Sequence, residues 1–292
     1  MKKQGLVLSC VGGAYTVETD DGVYTCRARG AFRKEGVTPL AGDHVTVSAQ
    51  DADSGVLEEI LPRRNCLVRP PVANLDCLVL VAATADPAPN TLVMDKMIAI
   101  AELNDICPII VINKSDLEDA SPWRDIYEKS GFEVFVVSAN QPDSVAPLCR
   151  RLAGQVSVFT GNSGVGKSSL LNVIEPRLSL QTGEISRSLG RGRHTTRATT
   201  LFRLESGGYL VDTPGVSSLE LERTQRIRKE QLPFCFRELE PYFGRCRFTS
   251  CVHVKEAGCA VRAAVEAGDI ARSRYESYTA IYAEIKDFKD WE

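Results

Sequence analysis

The sequence predicts an α/β protein in three parts: a circularly permuted P-loop domain, an N-terminal all-β barrel of the oligonucleotide-binding (OB) type, and a C-terminal helical metal-binding segment. Three observations predict it. A glycine-rich loop lies between an apolar strand and a helical pattern at residues 156–174, in a stretch where strands and helices alternate. Short strands separated by turn residues fill residues 1–68. After about residue 222 the strand pattern stops, and three cysteines and a histidine crowd into residues 246–259.

A chain of 292 residues with 43% hydrophobic content has room for two or three packed domains. The net charge of −3 means that any nucleic-acid surface must be local. Of ten cysteines, seven stand singly, mostly in apolar runs, which argues against a disulfide framework and for a reducing compartment. No apolar run approaches the roughly eighteen residues of a membrane span. Lys2-Lys3 ahead of Leu6-Val7-Leu8-Ser9-Cys10 faintly resembles a lipoprotein signal, but its apolar core is shorter than the roughly seven residues required. The expectation is a soluble, cytoplasmic protein with no membrane association.

In chain order, residues 6–10, 15–18, 23–29, 45–48 and 55–60 read as strands, with Asp20-Asp21-Gly22 and Gly42-Asp43 as turns. Five short strands in under seventy residues fit a small closed barrel. Arg27, Arg29, Arg33 and Lys34, then Arg63, Arg64 and Arg69, form either a phosphate-backbone footprint or a solvated edge. Next come buried strands at 75–82, 108–112, 134–137 and 155–159, with helices near 92–103, 122–129 and 145–152 between them. Ser121-Pro122 reads as a cap followed by proline at the first helical position. Strands at 201–204 and 209–211 follow. The alternation implies a mostly parallel sheet covered on both faces. Residues 224–242 and 260–291 are helical in period. The expected parts are residues 1–68, 72–222 and 223–292.

Gly161-Asn162-Ser163-Gly164-Val165-Gly166-Lys167-Ser168, with Ser169 behind it, has the form of a phosphate-binding loop. Its glycines let successive N–H groups converge on one anion at the start of a helix. Lys167 would reach the β- and γ-phosphates and Ser168 would offer its hydroxyl to Mg²⁺. Asn113-Lys114-Ser115-Asp116 ends a buried strand. A carboxylate at Asp116 accepts from the N1–H and 2-amino group of guanine, donors that adenine lacks, so it would reject ATP. Ser138-Ala139-Asn140 fits the second base-contacting loop. Asp212-Thr213-Pro214-Gly215 would hold Mg²⁺ through Asp212 and meet the γ-phosphate at Gly215. Gly190-Arg191-Gly192-Arg193-His194-Thr195-Thr196-Arg197 contains a threonine, Thr195 or Thr196, able to complete the Mg²⁺ shell only while γ-phosphate is present, which makes the segment a switch. These motifs make the central part a P-loop GTPase domain that binds GTP and GDP.

The guanine motif precedes the phosphate loop, the reverse of the usual GTPase order, so the domain is circularly permuted. The segment after Gly215 therefore runs straight into the C-terminal part, which would couple hydrolysis to that part. Equal repositioning of the C-terminal part in a hydrolysis-dead variant would leave hydrolysis itself out. Val216 stands where many GTPases carry a water-orienting glutamine, which leaves His194, a neighbouring arginine or a partner's group for that role. Cys246, Cys251, His253 and Cys259 suit one tetrahedral Zn²⁺ with no open position, hence a structural ion. Arg245, Arg247 and Lys255 around it fit either an RNA-contacting knuckle or a solvated face.

With these motifs the chain resembles, over essentially its full length, the bacterial ribosome small subunit-dependent GTPase A family. The carriers are Asn113 to Asp116, Gly161 to Ser169, Gly192-Arg193-His194-Thr195-Thr196, Asp212 to Gly215 and the Cys246/Cys251/His253/Cys259 spacing. Leu67-Val68-Arg69-Pro70 and Ala73-Asn74-Leu75-Asp76 match the family at the start of the GTPase domain. The resemblance implies an OB-fold, a permuted GTPase domain and a zinc domain. It also implies a late assembly factor that binds the small ribosomal subunit and its rRNA, with hydrolysis stimulated by that subunit and His194 taking part. Asn162 and Ala257 depart from residues common in the family without removing a group used above. The protein is expected to be a monomer. Two readings compete with the ribosomal one: a GTP-dependent switch for a non-ribosomal target, and an RNA-binding module with a vestigial site, against which the intact Lys167, Ser168 and Asp212 argue.

Overall fold

The computed structural model describes residues 2–30, 32, 36–180, 199–212 and 226–287. Its N-terminal part is a barrel of β1 (Lys2–Val11), β2 (Ala14–Thr19), β3 (Gly22–Ala28), β4 (His44–Ala49) and β5 (Ser54–Ile60). Antiparallel β1–β2 and β2–β3 hairpins lead to a parallel β3–β5 pair, and β4 closes the ring between β5 and β1. Gly12 and Gly13, at φ 58° and 80°, form the two-residue turn between β1 and β2. A turn with positive φ at both positions matches strand twist and excludes most side chains. Alternating residues Val7, Val17, Cys26, Val45, Val47 and Leu57 fill the barrel at zero exposure.

Two arginines from the basic clusters have partners within the chain. Arg63 makes a bidentate pair with the fully buried Asp43, at 2.7 and 2.8 Å. Arg64 bonds Asp76 at 2.7 Å and the Leu75 carbonyl at 2.6 Å. Arg63 thus braces the barrel itself, while Arg64 ties the end of the barrel part to the start of the next one, across the short ribbon of β6 (Cys66–Leu67) and β7 (Val72–Ala73).

The central sheet contains β8 (Cys77–Ala83), β9 (Cys107–Asn113), β10 (Glu133–Val136), β11 (Val156–Thr160), β12 (Thr200–Arg203) and β13 (Tyr209–Asp212). Their order is β10-β9-β8-β11-β13-β12, parallel except for β12. All seven residues of β8 are buried, as a strand covered on both faces requires. Helices α1 (Thr91–Leu103) and α2 (Ser121–Lys129) belong to one apolar core, while α3 (Pro142–Leu152) and α4 (Lys167–Ile174) pack with the other face. The start of α2 differs from expectation: the cap position is Ala120, which has no polar side chain to cap with, Ser121 is the first helical residue, and Asp119 just outside accepts from the Ser121 N–H at 3.0 Å.

Two further expectations are corrected in the C-terminal part. Residues 226–242 form two 3₁₀ turns, Leu232–Cys235 and Arg237–Tyr242, rather than one α-helix. Pro233 and Pro241 lack the N–H that a continuous ladder needs. The helical stretch after residue 260 is two helices, α5 (Ala260–Glu266) and α6 (Arg272–Ile285), separated at Gly268 with φ 79°. α6 lies against α1, and its Arg274 is enclosed between Asp95 of α1 at 2.7 Å and Glu238 at 2.6 Å. The guanidinium also stacks over Phe236, 4.5 Å from the ring centre. Among the described residues, barrel and central sheet meet through the Ser9↔Thr200 pair, flanked by Arg203 and Tyr209 bonding Glu18.

Candidate nucleotide site and metal cluster

The C-terminal ends of parallel strands are where an open α/β sheet binds ligands, and the predicted motifs gather there. β11 ends at Thr160, the chain turns through residues 161–166, and α4 begins at Lys167. Gly161, Gly164 and Gly166 have φ of 144°, 83° and 88°. A side chain at Gly161 would strike the Val81 carbonyl, and one at Gly166 the Asn113 amide. These glycines therefore serve close packing as well as the curl of the loop. Ser168 is buried at the first turn of α4.

Asn113 is the centre of the arrangement. It is 1% exposed, and its Nδ2 donates to the Val165 carbonyl at 2.9 Å while its Oδ1 accepts from the Ala139 N–H at 3.2 Å. One side chain thus joins the phosphate loop to the 138–140 loop. Lys114 takes a left-handed φ of 59°, and its carbonyl accepts from Thr84 Oγ1 at 2.7 Å. Its ammonium donates to the Ala85 and Asp86 carbonyls. The Asp116 carboxylate accepts from the Ser138 hydroxyl and, at 3.0 Å, from Asn140 Nδ2. Those bonds, Ser138 first, hold its carboxyl below the usual carboxylate range, so the acceptor is ready for the two donors of guanine. Ser115 lies between these groups, its N–H donating to the Val137 carbonyl at 3.2 Å.

The Lys167 ammonium donates to the Gly161 and Asn162 carbonyls, each at 2.6 Å. Burial pushes its pKa down to about 8. A half-buried cation whose hydrogen-bond partners among the described residues are neutral carbonyls is under-compensated, and a polyphosphate would supply the missing charge. Asp212 ends β13, which runs parallel to β11, so its backbone sits beside the phosphate-loop strand. His194, Thr195, Thr196 and Gly215 lie outside the described residues. Sequence reasoning missed Thr84. Its position directly after β8, whose last residue Ala83 pairs with Asn113 at the end of β9, was the available signal.

The four predicted metal ligands come together. His253 Nδ1 is 3.5, 3.6 and 3.5 Å from the sulfurs of Cys246, Cys251 and Cys259, and Cys246 and Cys259 Sγ are 3.9 Å apart. A tetrahedral zinc with ordinary bond lengths would separate sulfurs by about 3.8 Å and sulfur from nitrogen by about 3.5 Å. The donor set fits. The Ala260 N–H, at the start of α5, donates to Cys246 Sγ at 3.3 Å, and Tyr275 donates to the His253 carbonyl at 2.9 Å. Phe243 stacks on the His253 ring. Without a cation, burial pushes the Cys251 thiol up to about 12, so a bound cation is what would make this ligand a thiolate.

A strand-capped phosphate loop, a guanine-type carboxylate and their inverted order along the chain define a circularly permuted P-loop GTPase. The family model described as RsgA GTPase matches residues 60–222, and that of the RsgA N-terminal domain matches residues 4–57. The chain belongs to the RsgA GTPase family and is a GTP hydrolase. The small ribosomal subunit biogenesis GTPase RsgA of Caldanaerobacter subterraneus subsp. tengcongensis is 44% identical, covering 97% of this chain and 96% of that protein. The protein of the same name from Bacillus subtilis is 42% identical, with 98% of each chain covered. The crystal structure of YjeQ from Thermotoga maritima superposes with a TM-score of 0.84 at 36% identity, covering 99% of this chain and 100% of that one. YloQ, a circularly permuted GTPase, gives 0.82 at 35% identity, covering 99% and 96%.

Proposed function

We propose that this GTPase acts on the small ribosomal subunit late in its maturation, and that contact with the subunit and its rRNA stimulates hydrolysis of GTP to GDP and phosphate. The observation that carries this reading is the unbroken likeness, across barrel, nucleotide sheet and metal knuckle, to relatives named as small ribosomal subunit biogenesis GTPases. Residues 1–68, 72–222 and 223–292 act as RNA-binding, GTPase and zinc-binding parts of a cytoplasmic monomer. None of the helices described is long and apolar enough to cross a bilayer.

In this reading Asp116 reads the guanine edge and the 138–139 loop supports it. The N–H groups of residues 161–169 and the Lys167 ammonium hold the phosphates, after Lys167 leaves its two carbonyls. Ser168, Asp212 and either Thr195 or Thr196 hold Mg²⁺, which neutralises phosphate charge when bound. His194 orients the attacking water, and Gly215 senses the γ-phosphate. Cys246, Cys251, His253 and Cys259 hold one structural Zn²⁺.

The deciding experiment is turnover of GTP and ATP by the purified protein, with and without small ribosomal subunits. Strong stimulation of GTP turnover alone is expected. Slow GTP turnover indifferent to the subunit would remove the ribosomal reading and leave a switch for another target. His194→Ala should keep nucleotide affinity and lose the stimulated rate; unchanged stimulation would move the water-orienting role elsewhere.

A further inference from the structure

Two cysteines that stand singly in the sequence are neighbours in space. Cys77 opens β8 and Cys107 opens β9, and they are register partners on adjacent parallel strands. Register partners in a parallel pair project to the same face, and neighbouring strands lie about 4.8 Å apart, inside the Cα range that a disulfide spans. Arg151 of α3 reaches over both, its terminal nitrogens 3.8 Å from Cys77 Sγ and 3.7 Å from Cys107 Sγ. Glu133 fixes that guanidinium at 2.6 Å, and Gln155 Oε1 accepts from Cys77 Sγ at 3.7 Å. Cys77 is fully buried, whereas Cys107 is half-buried and meets solvent.

The neighbouring Cys77 sulfur, together with the Arg151 charge, holds the Cys107 thiol low against its own partial burial, and the same sulfur contact together with burial raises Cys77. Cys10 and Cys235 behave otherwise, each pushed up to about 12 chiefly by burial. Low acidity and burial make a thiol inert, whereas a thiolate beside arginine with access to solvent is the reactive kind.

We propose that Cys77 and Cys107 are an oxidisable dithiol, with Cys107 as the attacking sulfur, Cys77 as the resolving one and a hydroperoxide as oxidant. The Cys107 thiolate attacks one peroxide oxygen, the O–O bond breaks, and the departing hydroxide takes a proton to leave as water. The resulting sulfenic acid is displaced by Cys77 sulfur, which forms the S–S bond and releases a second water. Two thiols and one hydrogen peroxide thus give one disulfide and two waters. The pair lies at the N-terminal ends of β8 and β9, opposite the ends that carry Thr84 and Asn113, so it is separate from the nucleotide site. It is separate from the metal cluster as well.

The test uses the full chain loaded with zinc and treated with hydrogen peroxide. Remaining thiols are alkylated, and the protein is digested without reductant for mass spectrometry. The expected product is a Cys77–Cys107 linked peptide that dithiothreitol splits. In Cys77→Ser, a sulfenic acid at Cys107 should be trapped by dimedone. Arg151→Met should slow the loss of the Cys107 thiol about fivefold or more, by withdrawing the cation that favours the thiolate. Over-oxidation of Cys107 with Cys77 still a free thiol would overturn the pairing. Cys107 reacting no faster than the exposed Cys66 would overturn the proposal entirely.

Discussion

In the nucleotide cradle the backbone is braced by the protein alone. Parallel strands set its floor, three glycines with positive φ shape the loop, and Asn113 bonds both loops that flank the site. Residues 243–259, which carry the four ligands, form neither a strand nor an α-helix of their own, and His253 itself sits at an unfavourable φ of 62°. A conformation of that kind costs of order 1–3 kcal/mol and persists only where its surroundings impose it. The cradle is a product of the sheet, whereas the knuckle depends on what its side chains grip. Pre-organisation by a covered sheet is insensitive to loss of any one ligand contact, and pre-organisation by a metal is not.

The largest test of that contrast is loss of the metal. Cys259→Ser, or chelation of the wild type, should abolish stoichiometric zinc, and several kcal/mol of local stability should go with it. Hydrogen exchange of residues 243–266 should rise while GDP affinity stays within about threefold of wild type. A large loss of GDP affinity on chelation would show that the two regions are not independent. Next in size is Lys167→Ala, expected to weaken GTP binding by about a hundredfold or more, read by calorimetry, with zinc content unchanged. Normal GTP affinity would sink the phosphate-loop role. Asn113→Ala should cost about 1–3 kcal/mol, roughly ten- to a hundredfold in nucleotide affinity, because it leaves the Ala139 N–H and Val165 carbonyl without their brace. An unchanged affinity would mean that the loops hold their shape without it.

The smallest effect is one of pH. Burial depresses the folded pKa of Lys167 to about 8 in the nucleotide-free protein. Between that pH and the ordinary lysine range the unfolded chain still binds the proton that the folded chain has released. Stability of the nucleotide-free protein should therefore rise with pH across that window, the burial penalty being fully felt below it. Thermal melts of Lys167→Met should show a flatter profile over the same range. Identical profiles would place the cation in an environment as wet as the surface.

How far the sequence could be read follows from the range of the interactions involved. The glycine-rich loop, the Asn113 to Asp116 run and the four-residue cluster that could hold a metal were legible as motifs because each is a short run whose glycines, carboxylate or thiols have few other uses. The barrel was legible from alternation and turns, although the Gly12-Gly13 hairpin was overlooked. The 3₁₀ turns at 232–242 are hard to see in sequence because the charge periodicity of the stretch matches an α-helix and only Pro233 and Pro241 argue against it. The buried Arg274 was out of reach altogether: its acidic partners lie 36 and 179 residues away in the chain. Breaking such a buried ion network by removing one member costs about 3–5 kcal/mol, yet nothing local announces it. The partners of Arg63 and Arg64 were out of reach for the same reason, since they too are fixed by tertiary structure.

The Ser9–Thr200 bridge, the one pairing of β1 with β12 among the described residues, has a mechanical consequence. β1 closes the barrel against β4 with its first half and reaches β12 with its second. β12 in turn is laced to β13, which ends at Asp212. The barrel and the strand bearing Asp212 are therefore successive planks of one deck. A tug on the barrel is delivered along its grain, through the joint at Thr200, and has no slack linker in which to be lost.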